Sequence, residues 1–484
     1  MKRLLPLFAI GMASAVHAQT LQTFRFPHPN SSALSKRKSE LAINVWLPKA
    51  YSKANRYPVI YVLQREDDKL VAQVADYYSN SLMRIPPVIV VGLSVGIDDL
   101  GFSYETGDVN EAGAKYADFW FGDLTSFLSK KFSLAKYRAI VGHSYAANYT
   151  DYLMKKHPVQ FNGYACMTPE QPEYKVDYSS MVSALPAPFY YYLASAGQDM
   201  DRRQVHAKGI ADQLKDLDSE RFHFRHEHIP GADHLTGTPI TIGPALEYLF
   251  SGFVNYEYKS SDGKLDDWFE ALRTRIEGLY GFGVQKNSLN AAYFCELAAQ
   301  QKDMSALDTF RRYFVTDQVD ASVLFNTGQT FFQFGDMIHA TELYRASIIR
   351  AKKTDQPEFV LMSYRTLALR VYSEHDGSPE KAWKELEKGY ADTHDIAFQF
   401  FFGLISARHK YRLTDGIESL LEFSKNRDQS AFGRLYTLDQ TYVLLAKCYI
   451  ASGDKANAGQ YVKKALALNE NNEDAKALKI EIKG

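Results

Sequence analysis

Beyond its first 18 residues this chain has no apolar run long enough to cross a bilayer as a helix, which takes about 20 residues. It also lacks an excess of either charge: 56 Lys and Arg face 57 Asp and Glu, for a formal net charge of −1. A nucleic-acid or anionic-membrane surface would need a basic excess, so neither partner is expected. Cysteine is scarce, with three in 484 residues. Cys166, Cys295 and Cys448 are far apart and odd in number, which fits neither a disulfide framework nor metal-ligand spacing. Each lies in an apolar stretch and is expected as a buried small hydrophobe. No metal or cofactor is implied.

What the chain does have begins at its N-terminus. Lys2 and Arg3 precede an apolar run from Leu4 to Val16, and Val16-His17-Ala18 offers small residues at the usual cleavage positions. That pattern predicts a secretory signal peptide over residues 1–18 and an exported protein, periplasmic or secreted. Loss of Lys2 and Arg3 with it takes the formal charge from −1 to −3. The whole sequence is 46% hydrophobic and 14% aromatic, and long enough for two or more packed cores.

Two periodicities divide it. Over residues 19–255, short apolar runs rich in β-formers alternate with amphipathic stretches. Strands are expected at 41–47, 58–63, 88–93, 138–141, 164–167, 189–194 and 222–229, and helices at 112–132, 145–156, 203–217 and 243–249. Alternation of this kind predicts an α/β domain, a mostly parallel sheet with helices on both faces. The continuous run Val88-Ile89-Val90-Val91 suits a strand buried on both sides. Residues 256–267 are polar, contain the turn Ser260-Ser261-Asp262-Gly263, and are expected as a linker. From 268 to 484 the strand signal vanishes. Ala306 and Ala340 are 34 residues apart, each followed four positions on by an aromatic, Phe310 and Tyr344. That period predicts tetratricopeptide-like helical hairpins. Leu324, Gly328, Phe331, Gly335, Ala340 and Tyr344 fit the large and small packing positions of one unit. Tyr442, Ala446, Tyr449, Gly453, Ala458 and Ala465 fit those of the last, while Ala368 and Ala407 mark looser units between.

The chemistry concentrates in the first half. Ala139-Ile140-Val141 runs into Gly142-His143-Ser144-Tyr145-Ala146 and then into a helical pattern, which is a nucleophile elbow with Ser144 as the nucleophile. A serine hydroxyl needs a base. In an α/β-hydrolase the chain order is nucleophile, acid, histidine, and Gly231-Ala232-Asp233-His234 follows the last strand, so His234 is the expected base. The acid should follow the preceding strand, where Asp199 and Asp201 are both available; Asp199 is nearer the strand end and is preferred. Asp233 is expected as a turn residue. Two backbone N–H groups should hold the oxyanion: that of Tyr145 after the nucleophile, and one after strand 58–63, at Gln64 or Arg65, with Arg65 taken as donor. His226 and His228 share one face of their strand, a pairing that suits a solvated edge better than a metal pair. Phe102, Tyr104, Trp120 and Phe121 are candidates to line an acyl or aromatic pocket.

These segments carry a resemblance. Residues 21–253 resemble the esterase family of α/β-hydrolases that includes esterases of ferric-siderophore trilactones and esterase-D-like enzymes. The likeness rests on Pro58-Val59-Ile60-Tyr61-Val62-Leu63, Pro87-Val88-Ile89-Val90-Val91-Gly92-Leu93, the Gly142–Ala146 elbow, Gly197-Gln198-Asp199 and Gly231-Ala232-Asp233-His234. It implies a small-molecule ester as substrate, and some members carry a tetratricopeptide-like tail, which implies a protein or peptide partner for the second half. The chain departs from the family with Gln64-Arg65 after the early strand, Gly101-Phe102-Ser103-Tyr104 after the next, and Met167-Thr168-Pro169-Glu170 beyond the nucleophile helix. The resulting expectation is a serine ester hydrolase working through an acyl-enzyme. Acyl transfer to an alcohol, and an inactive hydrolase-like scaffold binding through its helical half, stay open as alternatives.

Overall fold

The computed structural model describes residues 19–31, 39–63, 67–170, 172–173, 175–185, 188–219, 221–254, 256–316 and 319–483. The signal-peptide segment and Gln64-Arg65 lie outside them. Two compact units divide between Val284 and Gln285.

The first unit is built on an eight-stranded sheet, in the order β1-β2-β4-β3-β5-β6-β7-β8. Its strands are β1 (Thr20–Pro27), β2 (Glu40–Leu47), β3 (Tyr57–Val62), β4 (Ile89–Leu93), β5 (Leu134–His143), β6 (Gly163–Met167), β7 (Phe189–Ala196) and β8 (Phe222–Ile229). β1 and β2 are antiparallel to their neighbours, and from β4 to β8 every pairing is parallel. All residues of β3, β4, β6 and β7 are buried, because crossover helices cover both faces of a parallel sheet. The expected α/β class and all seven expected strands are present. β1 is an addition: it alternates exposed and half-buried residues at the sheet edge, and its Phe24 and Phe26 pack on Phe127 and Phe119.

The helix expected over 112–132 is a single rod with a widened middle: α-helical at Glu111–Phe119, π-helical at Trp120–Leu124, and α-helical again at Thr125–Lys131. Thr125 Oγ1 donates to the Trp120 carbonyl at 2.8 Å inside the wide turn. Trp120 is fully buried among Tyr61, Phe121 and Phe161. It is therefore a core residue and not a pocket wall.

Residues 256–267 lead into the helix Leu265–Tyr280, which belongs to the first unit. Its final residue explains why: the Tyr280 ring packs on Tyr137, Phe250 and Phe253 with centroids 4.9, 5.9 and 5.5 Å away. Just past it, Phe282 packs edge-on against Tyr57.

The second unit is entirely helical among its described residues. In the hairpin Ala321–Gln333 and Met337–Lys353, a Cβ on Gly328 would meet the Tyr344 ring at 2.9 Å, so the bare glycine allows the two helices to approach. Gly335, at φ 83°, makes the turn, and Asp336 caps the second helix by accepting from the His339 N–H at 3.0 Å. The hairpin Leu438–Ala451 and Lys455–Leu468 repeats this construction with Gly453 at φ 86° and Asp454 accepting from the Asn457 N–H at 3.0 Å.

Candidate active site

β5 ends at His143 and the helix Tyr145–Lys156 begins two residues later, so Ser144 must turn the chain alone. It does so at φ 58° and ψ −126°, a conformation that L residues rarely adopt and that marks a constrained site. Hydrogen bonds hold it there: the Ser144 N–H donates to the Met167 carbonyl and the Ala147 N–H to the Ser144 carbonyl, each at 2.9 Å. The turn is so tight that a Cβ on Gly142 would come within 2.6 Å of the Ala146 carbonyl oxygen. Ala146 itself is fully buried, so a methyl is accommodated where glycine is commoner. The Tyr145 N–H follows the serine at the head of its helix, where the backbone dipole favours negative charge.

β7 leads into the loop carrying Asp199, and β8 into the loop carrying His234. The loops are laced together: the Gly197 N–H donates to the Ile229 carbonyl and the Gln198 N–H to the Ala232 carbonyl, both at 2.8 Å. Gln204 reaches back to the carbonyls of Gly197 and Asp199. Asp199 Oδ2 lies 2.7 Å from His234 Nδ1, and Oδ1 accepts from the Met200 N–H at 2.8 Å. Asp201 stands exposed in the first turn of the next helix. Asp233 accepts from the Leu235 and Thr236 N–H groups and the Thr236 hydroxyl, as a turn residue does.

His143 was not foreseen as a participant. Its Nε2 lies 2.8 Å from the His234 carbonyl oxygen, and the two rings are 4.6 Å apart. Burial first, and the neighbouring His234 ring second, push its pKa down to about 4. It is therefore a neutral ring at pH 7, whose Nε2–H donates to that carbonyl and fixes the backbone of His234.

Arg203 is the larger surprise. It projects from the helix Asp201–Leu214, one-tenth exposed, into the space between the expected nucleophile and base. Its Nη1 donates to Ser144 Oγ at 3.0 Å and lies 3.2 Å from His234 Nε2. Among the described residues no hydrogen bond joins Ser144 directly to His234. Nη2 is ion-paired with Glu170 Oε2, and Nε lies 3.7 Å from Asp199 Oδ1, too far for a hydrogen bond. The other oxygen of Glu170 takes Arg202 at 2.7 Å. Asn148 holds the Glu170 backbone at both ends, donating to its carbonyl and accepting from its N–H, each at 2.7 Å. Tyr104 is close enough to Glu170, Arg203 and Tyr145 to feel their charges; burial first and Glu170 second push its phenol up to about 12. The only sequence signal for this group was the placement of Glu170 three residues after β6 and of the pair Arg202-Arg203 in the first turn of the helix that follows β7.

His226 Nε2 and His228 Nδ1 converge on Ser195 Oγ at 2.9 and 3.0 Å. All three cysteines are buried free thiols, and burial raises their pKa values.

An eight-stranded, mostly parallel sheet whose fifth strand delivers a serine on a strained turn defines an α/β-hydrolase domain. Residues 34–191 match the family model "Putative esterase", and residues 439–472 match that of the tetratricopeptide repeat. The chain thus joins an esterase domain, of the carboxylic ester hydrolase class, to a tetratricopeptide-repeat unit. No curated protein matches it. Among solved structures, an uncharacterised protein from Capnocytophaga ochracea shares 18% identity over 68% of this chain and 94% of its own, with a TM-score of 0.52. An IroE-like serine hydrolase from Shewanella oneidensis shares 17% over 61% and 100%, with a TM-score of 0.45. A ferulic acid esterase from Anaeromyces mucronatus shares 18% over 49% and 93%, with a TM-score of 0.38. At these identities the first of the three speaks for the fold alone.

Proposed function

We propose that the first unit hydrolyses carboxylic esters through a covalent acyl-enzyme on Ser144. Ser144 Oγ attacks the ester carbonyl while His234 Nε2 accepts its proton. The tetrahedral adduct collapses, and His234 returns the proton to the departing alcohol. A water then repeats the sequence and releases the acid. Asp199 orients His234 through Nδ1 and stabilises the imidazolium. The Tyr145 N–H, with a second donor from the loop that contains Arg65, holds the oxyanion. The observation that carries this reading is the strained Ser144 facing a His234–Asp199 pair. Both Ser144 Oγ and His234 Nε2 touch one nitrogen of Arg203, so they lie within about 6 Å of each other, and a small shift couples them.

One observation favours a second reading, a hydrolase-shaped binding domain: Arg203 occupies the line from serine to base. A fluorophosphonate separates the two. Labelling of wild type at Ser144 that disappears in Ser144→Ala and collapses in His234→Ala supports hydrolysis. Absence of labelling in folded wild type supports the binding domain. The run after Lys2 and Arg3 supports export of the protein, and the repeat unit supports docking of a peptide or protein segment, the common use of stacked helical hairpins.

A further inference from the structure

The hydrolase reading leaves Arg203 without a task, yet the fold invests heavily in placing it. A guanidinium that is nine-tenths buried is stable only when paired, and Glu170 supplies the pairing. Glu170 is itself shared with Arg202, so one carboxylate answers two cations. The other neighbouring carboxylate, Asp199, is hydrogen-bonded to His234 through Oδ2 and reaches Arg203 only at Nε, 3.7 Å from Oδ1, on the side away from Nη1. Arg203 Nη1 therefore makes do with neutral partners: the Ser144 hydroxyl at 3.0 Å, the Thr168 carbonyl at 3.4 Å and the His234 ring. Its Nε has no hydrogen-bond acceptor among the described residues. A buried cation whose Nη1 faces the nucleophile with only neutral partners among the described residues fits an anion that arrives with the substrate.

We infer that Arg203 is the specificity-determining residue of this esterase site, selecting esters whose acyl chain ends in a carboxylate. The inference rests on the hydrolase reading of Ser144. Arginine suits the task because it stays charged when buried and each Nη carries two hydrogens, so Nη1 can hold a carboxylate through a charge-assisted bond while Nη2 keeps Glu170. With Nη1 in contact with Ser144 Oγ, a carboxylate bound to the same nitrogen sits within about 6 Å of the attacking oxygen, allowing about 3 Å for each contact. Hemiesters of short dicarboxylic acids, with two or three methylenes between their carboxyl carbons, meet that spacing. The bound carboxylate also competes for the Nη1 hydrogens that Ser144 and His234 now share. Its arrival frees the hydroxyl for its base, so the substrate charge that is recognised is also the one that assembles the nucleophile. Tyr104, whose phenol pKa is pushed up to about 12, is close enough to Arg203 to feel its charge.

Full-length wild type, Arg203→Gln and Arg203→Lys should be compared on monoethyl glutarate and diethyl glutarate, which share a skeleton and differ by the charge at the far end. Initial rates come from proton release, and circular dichroism checks each variant for folding. Wild type should show at least a tenfold higher kcat/KM on the monoester. Arg203→Gln should collapse that ratio toward one, chiefly through a higher KM for the monoester, and Arg203→Lys should restore part of it. Equal rates on both esters in wild type, or a ratio unchanged in Arg203→Gln, would overturn the carboxylate selection while leaving the hydrolase standing. If wild type cleaves neither ester and a fluorophosphonate leaves Ser144 unlabelled, the hydrolase reading falls and takes this inference with it.

Discussion

Replacement of Asp199 by Asn keeps the shape of the site and changes one charge, which makes its consequence calculable. Asp199 Oδ1 accepts from the Met200 N–H at 2.8 Å, and an Asn oxygen can keep that bond only in the same position. The amide NH2 is then forced to face His234 Nδ1, where Oδ2 now stands at 2.7 Å. Two donors cannot face each other, so Nδ1 must give up its hydrogen and Nε2 must carry it. A ring in that tautomer has no lone pair for the Ser144 proton. In the serine-protease template the equivalent change lowers kcat by about 10⁴, which at about 1.36 kcal/mol per decade is about 5.4 kcal/mol of transition-state stabilisation. Here the loss should not be smaller, because Arg203 Nε lies 3.7 Å from the carboxylate and would face the imidazolium without it. Asp199→Asn should therefore lower kcat on an activated short-chain ester by about 10⁴ or more, on the scale of that template. Fluorophosphonate labelling of Ser144 should slow in parallel, with a melting temperature near that of wild type. A folded variant retaining kcat within tenfold of wild type would refute the role given to this pair.

Two other perturbations reach different parts of the same domain. Gly142→Ala places a methyl 2.6 Å from the Ala146 carbonyl, a contact with backbone that cannot rotate away. It should lower stability by about 1–3 kcal/mol in urea and slow Ser144 labelling; an unchanged midpoint and labelling rate would show that the elbow is not as tight as described. Asp151 is buried on the nucleophile helix with the Tyr178 hydroxyl donating to it at 2.7 Å, and burial raises its pKa from 3.8 to about 7. Between those values the folded state holds a proton that the unfolded state has lost, so Asp151 costs stability as pH rises through this window. Asp151→Asn should gain on the order of 2 kcal/mol over wild type at pH 8 relative to its difference at pH 5, read from urea midpoints at both. A difference independent of pH would show that Asp151 is ionised throughout.

The strands that build the site were legible because parallel strands covered on both faces are apolar without interruption, as in Val88-Ile89-Val90-Val91. The helix after Ser144 was legible to the residue, since the elbow fixes its start and Lys155-Lys156 before His157-Pro158 mark its end. β1 escaped because an edge strand is half exposed and carries only alternation, interrupted by Arg25. In the repeat unit, the hairpins with Gly at the turn and Asp at the next cap were readable. The unit around Ala368 was not, because Ala368 lies in the π-helical segment Leu367–His375, which shifts the spacing that a repeat depends on. Ser144, Asp199 and His234 could be read from strand-end position and chain order. Arg203 could not: Ser144 is 59 residues away in sequence, and only the packing of the Asp201–Leu214 helix beside β7 brings them together.

The wide turn at Trp120–Leu124 bears on how this domain can change in length. An i→i+5 turn holds about one residue more than an α-turn, so the rod from Glu111 to Lys131 stores a surplus residue within a regular element, where no loop could take it up. Deletion of a residue elsewhere in the rod would rotate all that follows by about 100° and carry Leu128 off the core. Deletion inside the wide turn would close it to an ordinary helix and leave both ends in phase. Trp120 and Leu124 are fully buried and fixed, but a side chain on Gly122 would meet nothing within 4 Å. Single-residue deletions among descendants of this gene should therefore gather at residues 121–123, the place where the rod can absorb one without disturbing the sheet it covers.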